Sequence, residues 1–230
     1  FTEEIIRGDI AIQDGIIAGI GSFHGKEERD LAGKYVCPGF IDSHLHLEST
    51  LVTPAELVTV ASRHGTTSFI VDPHESANVS GLAGIDYILE QTEDVKANVY
   101  VMMPSCVPAT SIDDNGCTLT AADMVPYLHN SRILGLGEVM DSISVVQGDK
   151  GMHDKLELFE GRIRDGHAPF LEEGDLQAYA MAGIATDHEC SFFDYAMRER
   201  RNGLTVLIRE GSAARNLEAL VGGLVQRKMN

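Results

Sequence analysis

The sequence predicts an α/β protein of the (β/α)₈-barrel type, incomplete, with seven strands and the eighth missing. Three observations lead to this prediction. From Tyr35 onward, apolar runs alternate with amphipathic segments, as in parallel strands joined by crossover helices. Four of the apolar runs end in His or Glu, and barrels of this type collect functional side chains from their strand ends. The chain of 230 residues suits one barrel-sized domain with a small appendage.

The first predicted element is a β-hairpin outside this alternation. Two apolar runs, 9–13 and 16–20, flank Asp14-Gly15, a dipeptide that accepts the positive φ angles of a tight turn. We place a domain boundary near Gly33, so that residues 1–33 form one part of the protein and residues 34–230 form the barrel.

Seven strand-helix units follow the hairpin. Strands are predicted over residues 35–42, 67–72, 98–103, 134–138, 162–165, 184–187 and 205–209. Helices are predicted over residues 54–64, 81–91, 121–128, 154–160, 174–182, 192–202 and 212–221. Thr53, Thr120 and Ser191 precede three of these helices and are candidate N-caps.

Composition excludes some classes of function. A formal net charge of -17 and a pI near 4.8 argue against binding nucleic acid through a basic surface and favour a small neutral or cationic substrate. Cys37, Cys106, Cys117 and Cys190 are widely spaced, which indicates reduced thiols in a cytoplasmic protein. No apolar run approaches the roughly 20 residues that span a bilayer, so we expect no membrane insertion. Homo-oligomer formation is left open.

Candidate metal ligands lie at the ends of four predicted strands. His44 and His46 are two residues apart, so on a strand both point to one side and can hold one ion. Glu138, His167 and His188 end later strands. Taken singly, each histidine is equally well explained as a buried, hydrogen-bonded residue, and Glu138 as an ion-pair partner. Together, the five residues are typical of a site for Zn, Mn or Fe. Five ligands crowd a single tetrahedral ion, so the set is also compatible with two ions, since a carboxylate can bridge a pair.

Two further polar groups face the same end of the predicted barrel. Asp72, His74 and Glu75 follow the second strand and are candidates for proton transfer or substrate contacts, although Asp in a proline turn also serves as a cap. Arg209 and Glu210 follow the seventh strand and occupy the corresponding position. They are candidates for substrate contacts, with helix capping by the neighbouring Ser212 as the alternative.

The run Pro38-Gly39-Phe40-Ile41-Asp42-Ser43-His44-Leu45-His46 resembles the first metal motif of the amidohydrolase superfamily. Within that superfamily the chain is most similar to the adenine deaminase family, over nearly its whole length. The runs that carry this similarity are Asp72-Pro73-His74-Glu75, Pro104-Ser105-Cys106-Val107-Pro108-Ala109-Thr110, Gly135-Leu136-Gly137-Glu138-Val139-Met140, Asp165-Gly166-His167-Ala168-Pro169, Asp187-His188-Glu189-Cys190 and Ile208-Arg209-Glu210-Gly211-Ser212.

The resemblance implies a metal-dependent hydrolase that converts adenine to hypoxanthine and ammonia in purine salvage. It implies two divalent ions, Mn or Fe with Zn also compatible. By position, His44 and His46 hold one ion, His167 and His188 hold the other, and Glu138 bridges them. The hairpin is then part of a small β-sandwich subdomain.

In the implied mechanism, metal-bound hydroxide attacks C6 of the purine and the departing amine is protonated. His74 and Glu189 are the candidates for proton handling, and Asp72, Glu75, Arg209 and Glu210 are those for substrate binding.

The chain departs from this family at its end. The family takes an aspartate from an eighth strand, which we do not find, and the chain opens on Phe1 and ends on a polar 226–230 tail. We therefore expect a fragment with little activity of its own. Alternatives are a dihydroorotase-like or imidazolonepropionase-like enzyme that opens a cyclic amide, and a metal-binding barrel without catalytic activity.

Overall fold

The computed structural model describes residues 4–227, so Phe1 and the last three residues of the polar tail lie outside the described part. The chain divides into two compact units, with the division between Pro38 and Gly39, a few residues after the predicted boundary. In the first unit, β1 (Asp9–Gln13) and β2 (Ile16–Gly21) pair antiparallel. Asp14 and Gly15 have φ angles of 53° and 77°, so the predicted hairpin and its turn are confirmed.

The second unit is built on a parallel sheet of five strands that lie in sequence order. The strands are β3 (Phe40–Leu45), β4 (Thr66–Val71), β5 (Asn98–Met103), β6 (Ile133–Val139) and β7 (Ile163–Gly166). All four pairings are parallel, as predicted. The carboxyl ends of these strands therefore share one edge of the sheet. Candidate ligands lie at or just after these strand ends.

The last two predicted strands are much shorter than expected. β8 (Thr186–Asp187) and β9 (Thr205–Val206) form a parallel ladder of their own, and the Ala185 N–H donates to the Arg164 carbonyl at 2.9 Å. The Asp187 carboxylate accepts the N–H groups of Glu189 at 2.8 Å and Cys190 at 3.0 Å. The Asp187 side chain thus holds the backbone just after β8.

Helices follow the strands, and residues 4–227 contain two more of them than predicted. The helices are α1 (Pro54–Ser62), α2 (His74–Ser80), α3 (Leu82–Gln91), α4 (Ala121–Met124), α5 (Ser142–Gln147), α6 (Lys150–Leu158), α7 (Glu173–Met181), α8 (Phe193–Arg201) and α9 (Leu217–Gln226). α2 and α5 were not predicted, and α9 begins five residues later than the predicted 212–221. A 3₁₀ helix, Val125–His129, continues α4.

Caps explain several of these bounds. The Thr53 side chain accepts the Glu56 N–H ahead of α1, as predicted. Asp141 and Asp149 accept the N–H groups of Ser144 and Met152, at 3.0 and 2.9 Å, and so begin α5 and α6. The prediction for Ser191 was wrong, because Phe192 is the N-cap residue of α8 and makes no side-chain capping bond.

The core of the second unit lies between the sheet and its helices. Val71, Val101, Leu136 and Val139 of the sheet and Leu176 of α7 are fully buried. Apolar burial of this kind supplies most of the free energy that holds the strand ends in place. Within residues 4–227, no helix has the length and apolar character needed to cross a membrane.

Candidate metal centre

His44 and His46 lie at the end of β3, and their Nε2 atoms are 3.1 Å apart. His44 Nδ1 is 2.8 Å from Asp165 Oδ2, and His46 Nδ1 is 2.9 Å from the backbone carbonyl of Asp72. A carbonyl oxygen only accepts, so the proton of neutral His46 is on Nδ1. With a proton on each Nδ1 atom, both Nε2 lone pairs are directed at the space between the two rings, where they can bind one cation. This arrangement fits metal ligands.

Glu138 lies near the end of β6 and is buried among imidazoles. Its Oε1 is 3.0 Å from His74 Nδ1 and 3.4 Å from His46 Nε2. Its Oε2 is 2.8 Å from His167 Nδ1 and 3.1 Å from His188 Nε2. Burial acts to raise the pKa of Glu138, but hydrogen bonds from His167, His188 and His74 outweigh it and hold that pKa far below its usual range. Each oxygen of the Glu138 carboxylate therefore contacts a different pair of histidines.

His167 and His188 follow β7 and β8. The His167 N–H donates to the Tyr179 hydroxyl at 2.9 Å, which in turn donates to the Val139 carbonyl at 2.6 Å. Burial acts to lower the pKa of His167, and its hydrogen bond to Glu138 reverses this and raises it. The His188 ring stacks on that of His44, with centroids 3.8 Å apart. The ends of β7 and β8 are thus held by hydrogen bonds and by ring stacking between protein groups.

Three sets of three potential ligands share Glu138, and in each set the ligand atoms lie within 4.8 Å of one another. Two of them are completed by proposed ligands, His44 with His46 and His167 with His188, and the third by Asp72 and His74. The structure therefore brings all five sequence-predicted ligands together. Nitrogen and carboxylate donors in this combination suit Mn, Fe and Zn.

His74, at the start of α2, lies against the same carboxylate as these ligands. Burial acts to lower the pKa of His74, but the Asp72 and Glu138 carboxylates raise it to about 11. Asp72 is buried, and its Oδ2 accepts the Glu138 N–H at 2.7 Å. Its carboxylate therefore contacts Glu138 and His74, although the sequence suggested substrate binding for Asp72.

Glu189 and Arg209 form a bidentate ion pair beside the centre, with Arg209 Nη2 3.0 Å from Glu189 Oε2. Glu189 Oε1 is 3.7 Å from His188 Nε2 and 3.8 Å from His167 Nδ1. This pairing was not expected from the sequence, which gave the two residues separate roles. It fixes the orientation of the Glu189 carboxylate.

Glu75 and Glu210 stand apart from this cluster. Glu75 is exposed and accepts a hydrogen bond from the Ser49 hydroxyl at 2.6 Å. Glu210 is exposed and accepts the Leu217 N–H at 3.3 Å. Among the described residues, neither makes a hydrogen bond or ion pair to the candidate ligands.

Sequence reasoning missed the residues that orient the ligands. Asp165 holds His44, and its Oδ1 accepts from Gly166 N–H at 3.0 Å and from the Thr186 hydroxyl. Tyr179 connects the ends of β6 and β7. Asp165 ends a predicted strand two residues before His167, which is a usable signal, whereas Tyr179 lies in the middle of a helix and offers none.

A model of the amidohydrolase family matches residues 35–217. The chain belongs to the amidohydrolase family. Every residue of the centre, from His44 to Arg209, lies within the matched amidohydrolase region. Divalent metals are general in this family, which agrees with the donor set described above.

Several curated relatives of this amidohydrolase are named adenine deaminase. The "Adenine deaminase" of Desulfitobacterium hafniense is 58% identical over the whole chain, which covers 40% of that protein. The relative from Clostridium acetobutylicum, with the same name, is 48% identical over 97% of the chain and 40% of its own length. That from Geobacillus kaustophilus is 45% identical over 96% of the chain and 39% of its own length. The chain thus spans about 40% of the length of these relatives.

A solved structure confirms the predicted fold class of this amidohydrolase. The crystal structure of 5-methylcytosine deaminase from Klebsiella pneumoniae, liganded with 5-fluorocytosine, matches 96% of this chain and 69% of its own, with a TM-score of 0.52. The sequence identity is 15%, so the likeness concerns the fold alone. Together with the five parallel strands and their helices, it identifies a (β/α) barrel-type sheet, which is open in the described residues.

Proposed function

We propose that this amidohydrolase chain carries the metal centre of an enzyme that hydrolyses adenine to hypoxanthine and ammonia. The observation that carries the proposal is the convergence of four imidazoles, those of His46, His74, His167 and His188, on the two oxygens of Glu138. The choice of adenine rests on the relatives named adenine deaminase, one of which is 58% identical over the whole chain.

We assign two divalent ions to the centre. His44 and His46 would hold one, His167 and His188 would hold the other, and Glu138 would be shared by both. Support comes from the grouping of Glu138 with each of these histidine pairs. Mn and Fe are preferred, and Zn has compatible ligand chemistry. When bound, such an ion lowers the pKa of its water ligand to about 7 and supplies a nucleophile at neutral pH.

The protein's own residues are assigned the proton transfers. In the reaction a C6–O bond forms, the C6–N bond breaks, and the departing amine takes up a proton. His74 holds a proton beside Glu138, at 3.0 Å from Oε1, and we assign it as the donor to the amine. Glu189, oriented by its ion pair with Arg209, is the candidate acceptor of the proton from water.

Substrate contacts are assigned by position around the centre. Arg209 reaches the centre through Glu189. Glu75 and Glu210 are exposed carboxylates in the segments that follow β4 and β9, where they remain available for an amine-bearing ring. Asp72 acts on the substrate indirectly, because its carboxylate contacts the Glu138 backbone and lies 3.7 Å from His74 Nδ1.

The test is release of ammonia from adenine by two Mn-loaded proteins. One is this 230-residue chain. The other is the same chain joined to the part of the Desulfitobacterium hafniense relative that it does not cover. Guanine, adenosine and dihydroorotate serve as alternative substrates, and Glu138→Gln is compared with the exposed-site variant Glu160→Gln.

We expect adenine-specific turnover in the joined protein, loss of it in Glu138→Gln, and no change in Glu160→Gln. We also expect the 230-residue chain alone to turn over adenine poorly. Turnover of dihydroorotate instead of adenine would transfer the assignment to an enzyme that opens cyclic amides. No turnover of any substrate by the joined protein, with metal bound, would favour a barrel without catalytic activity.

A further inference from the structure

The backbone of Glu138 is held by side chains from two other strand ends. Glu138 lies beyond the last pairing of β6 with β5, which joins Leu136 to Met103. Its N–H donates to Asp72 Oδ2 at 2.7 Å. Its carbonyl accepts the Ser105 hydroxyl at 2.6 Å and the Met140 N–H at 3.1 Å. Side-chain groups therefore take the place of the sheet ladder at this residue.

Ser105 is in turn held by a buried lysine. Ser105 is 1% exposed and Lys155, in α6, is 9% exposed. Lys155 Nζ donates to the Ser105 carbonyl at 2.7 Å. Within residues 4–227, no carboxylate lies within 4 Å of this ammonium group. Burying a charge costs free energy unless strong partners compensate it, so an ammonium directed at one carbonyl requires an explanation.

We propose that Lys155 and Ser105 form a positioning relay. It fixes the orientation of the Glu138 carboxylate between the His44–His46 pair and the His167–His188 pair. The Lys155 ammonium anchors the Ser105 peptide, and the Ser105 hydroxyl fixes the Glu138 carbonyl. The Glu138 peptide is then held at both ends, by Ser105 and by Asp72. This inference rests on the proposed metal centre and adds to it the residues that align its bridging ligand.

The arrangement of the surrounding chain supports a relay over simple gap filling. Leu156 and Met152 of the same helix are buried and apolar, so α6 packs without needing a charge. A methionine at position 155 would fill the same space. The lysine adds a hydrogen-bond donor at a point where α6 contacts the segment that holds Glu138.

The experiment is Mn(II) titration of the 230-residue chain, with binding measured by calorimetry and the bound ions by EPR. Lys155→Met removes the ammonium and keeps the apolar stem, and Ser105→Ala removes the hydroxyl. The matched control is Lys150→Met, because Lys150 lies on the same helix with its side chain 86% exposed and paired with Asp154. Thermal unfolding of each metal-free protein reports folding.

We expect Lys155→Met and Ser105→Ala each to weaken Mn(II) binding by about 10- to 100-fold, the usual loss for partners of metal ligands. The spectrum of two coupled ions should change to that of isolated ions. The double variant should lose no more than Ser105→Ala, because both residues act through one hydroxyl. Lys150→Met should match the wild type.

Two results would overturn the inference without touching the proposed centre. One is unchanged affinity and unchanged EPR coupling in Ser105→Ala. The other is additive losses in the double variant. If Lys155→Met fails to fold, Ser105→Ala alone decides. Failure of the wild-type chain to bind Mn(II) would instead count against the proposed metal centre itself.

Discussion

Proton positions in the centre are set by residues that are not proposed ligands. The Asp165 carboxylate faces His44 Nδ1 at 2.8 Å, and the backbone carbonyl of Asp72 faces His46 Nδ1 at 2.9 Å. Burial acts to lower the pKa of His44, and the hydrogen bond to Asp165 reverses this and raises it. Both histidines are thereby left with Nε2 facing the ligand position.

Asp165→Asn tests this control of the His44 tautomer. The amide can present its NH₂ group to Nδ1, which moves the imidazole proton to Nε2 and blocks the ligand atom. We expect Mn(II) affinity to fall by about 10- to 100-fold. Calorimetric titration at pH 7.5 measures it, with Asp154→Asn, at a site 44% exposed, as the control. Equal affinity of the Asp165 variant and the wild type would contradict the proposed role.

Glu199 is a buried carboxyl outside the centre. It is in α8, fully buried, in a cluster with Asp187 and Cys190. Burial and the nearby Asp187 carboxylate raise the pKa of Glu199 to about 9. Its folded-state pKa is thus above the unfolded value, so between about pH 5 and pH 9 the folded state binds more protons and stability falls as pH rises.

Glu199→Gln should remove this slope. Each pH unit in the window corresponds to at most about 1.4 kcal/mol of unfolding free energy, so between pH 5.5 and pH 7.5 the wild type should lose up to roughly 3 kcal/mol more than the variant. Urea unfolding at the two pH values measures the difference, with Glu160→Gln as an exposed-site control. Identical slopes in wild type and Glu199→Gln would show that Glu199 is ionised in the folded protein.

At the scale of the element, the end of β6 depends on a close approach of Asp72. A Cβ atom on Gly137 would lie 2.3 Å from Asp72 Oδ2, the atom that accepts the Glu138 N–H. Only glycine lets the ends of β4 and β6 come this close. The strand end that presents Glu138 therefore requires a residue with no side chain beside it.

Gly137→Ala is expected to destabilise the protein by about 1–3 kcal/mol, because the new methyl group displaces a buried carboxylate. The matched control is Gly174→Ala in α7, where a Cβ meets nothing within 4 Å. That change should be neutral or stabilising by up to about 1 kcal/mol. Urea unfolding of both variants at one pH compares them, and equal stability of the two would contradict the close approach.

The Tyr179 hydroxyl joins α7 to the ends of β6 and β7. Tyr179→Phe leaves the His167 N–H without its acceptor in a buried setting, for an expected loss of about 1–3 kcal/mol. Tyr87→Phe, at a residue 51% exposed, should stay within about 0.5 kcal/mol of the wild type. Chemical unfolding measures the stability of both variants. If the Tyr179 variant were as stable as the Tyr87 variant, backbone pairing alone would hold the ends of β6 and β7 together.

At the scale of the whole molecule, the centre exists only when distant parts of the chain are folded together. His44 follows the first strand of the sheet, whereas His188 follows the short β8. The unfolded chain does not hold these ligands close together, so metal binding contributes directly to folding stability.

Mn(II) should therefore raise the thermal unfolding midpoint. At a free concentration 100 times the dissociation constant of one site, the gain is about 2.7 kcal/mol. For a chain of this size that is a rise of roughly 5–10 °C. Ca(II), which prefers oxygen ligands, serves as the control, and EDTA should return the midpoint to that of the metal-free protein. A midpoint unaffected by Mn(II) would contradict the centre.

The sequence by itself determined the strand order, the hairpin turn and the five candidate ligands. These features follow from local rules: the period of two along a strand, positive φ at Asp14-Gly15, and the common edge of parallel strand ends. The tertiary structure alone decided the pairing of Glu189 with Arg209, the contact of Asp72 with Glu138, and the hydrogen bond from Lys155 to Ser105. Those are hydrogen bonds between segments far apart in the chain, and no local period encodes which buried polar groups will meet.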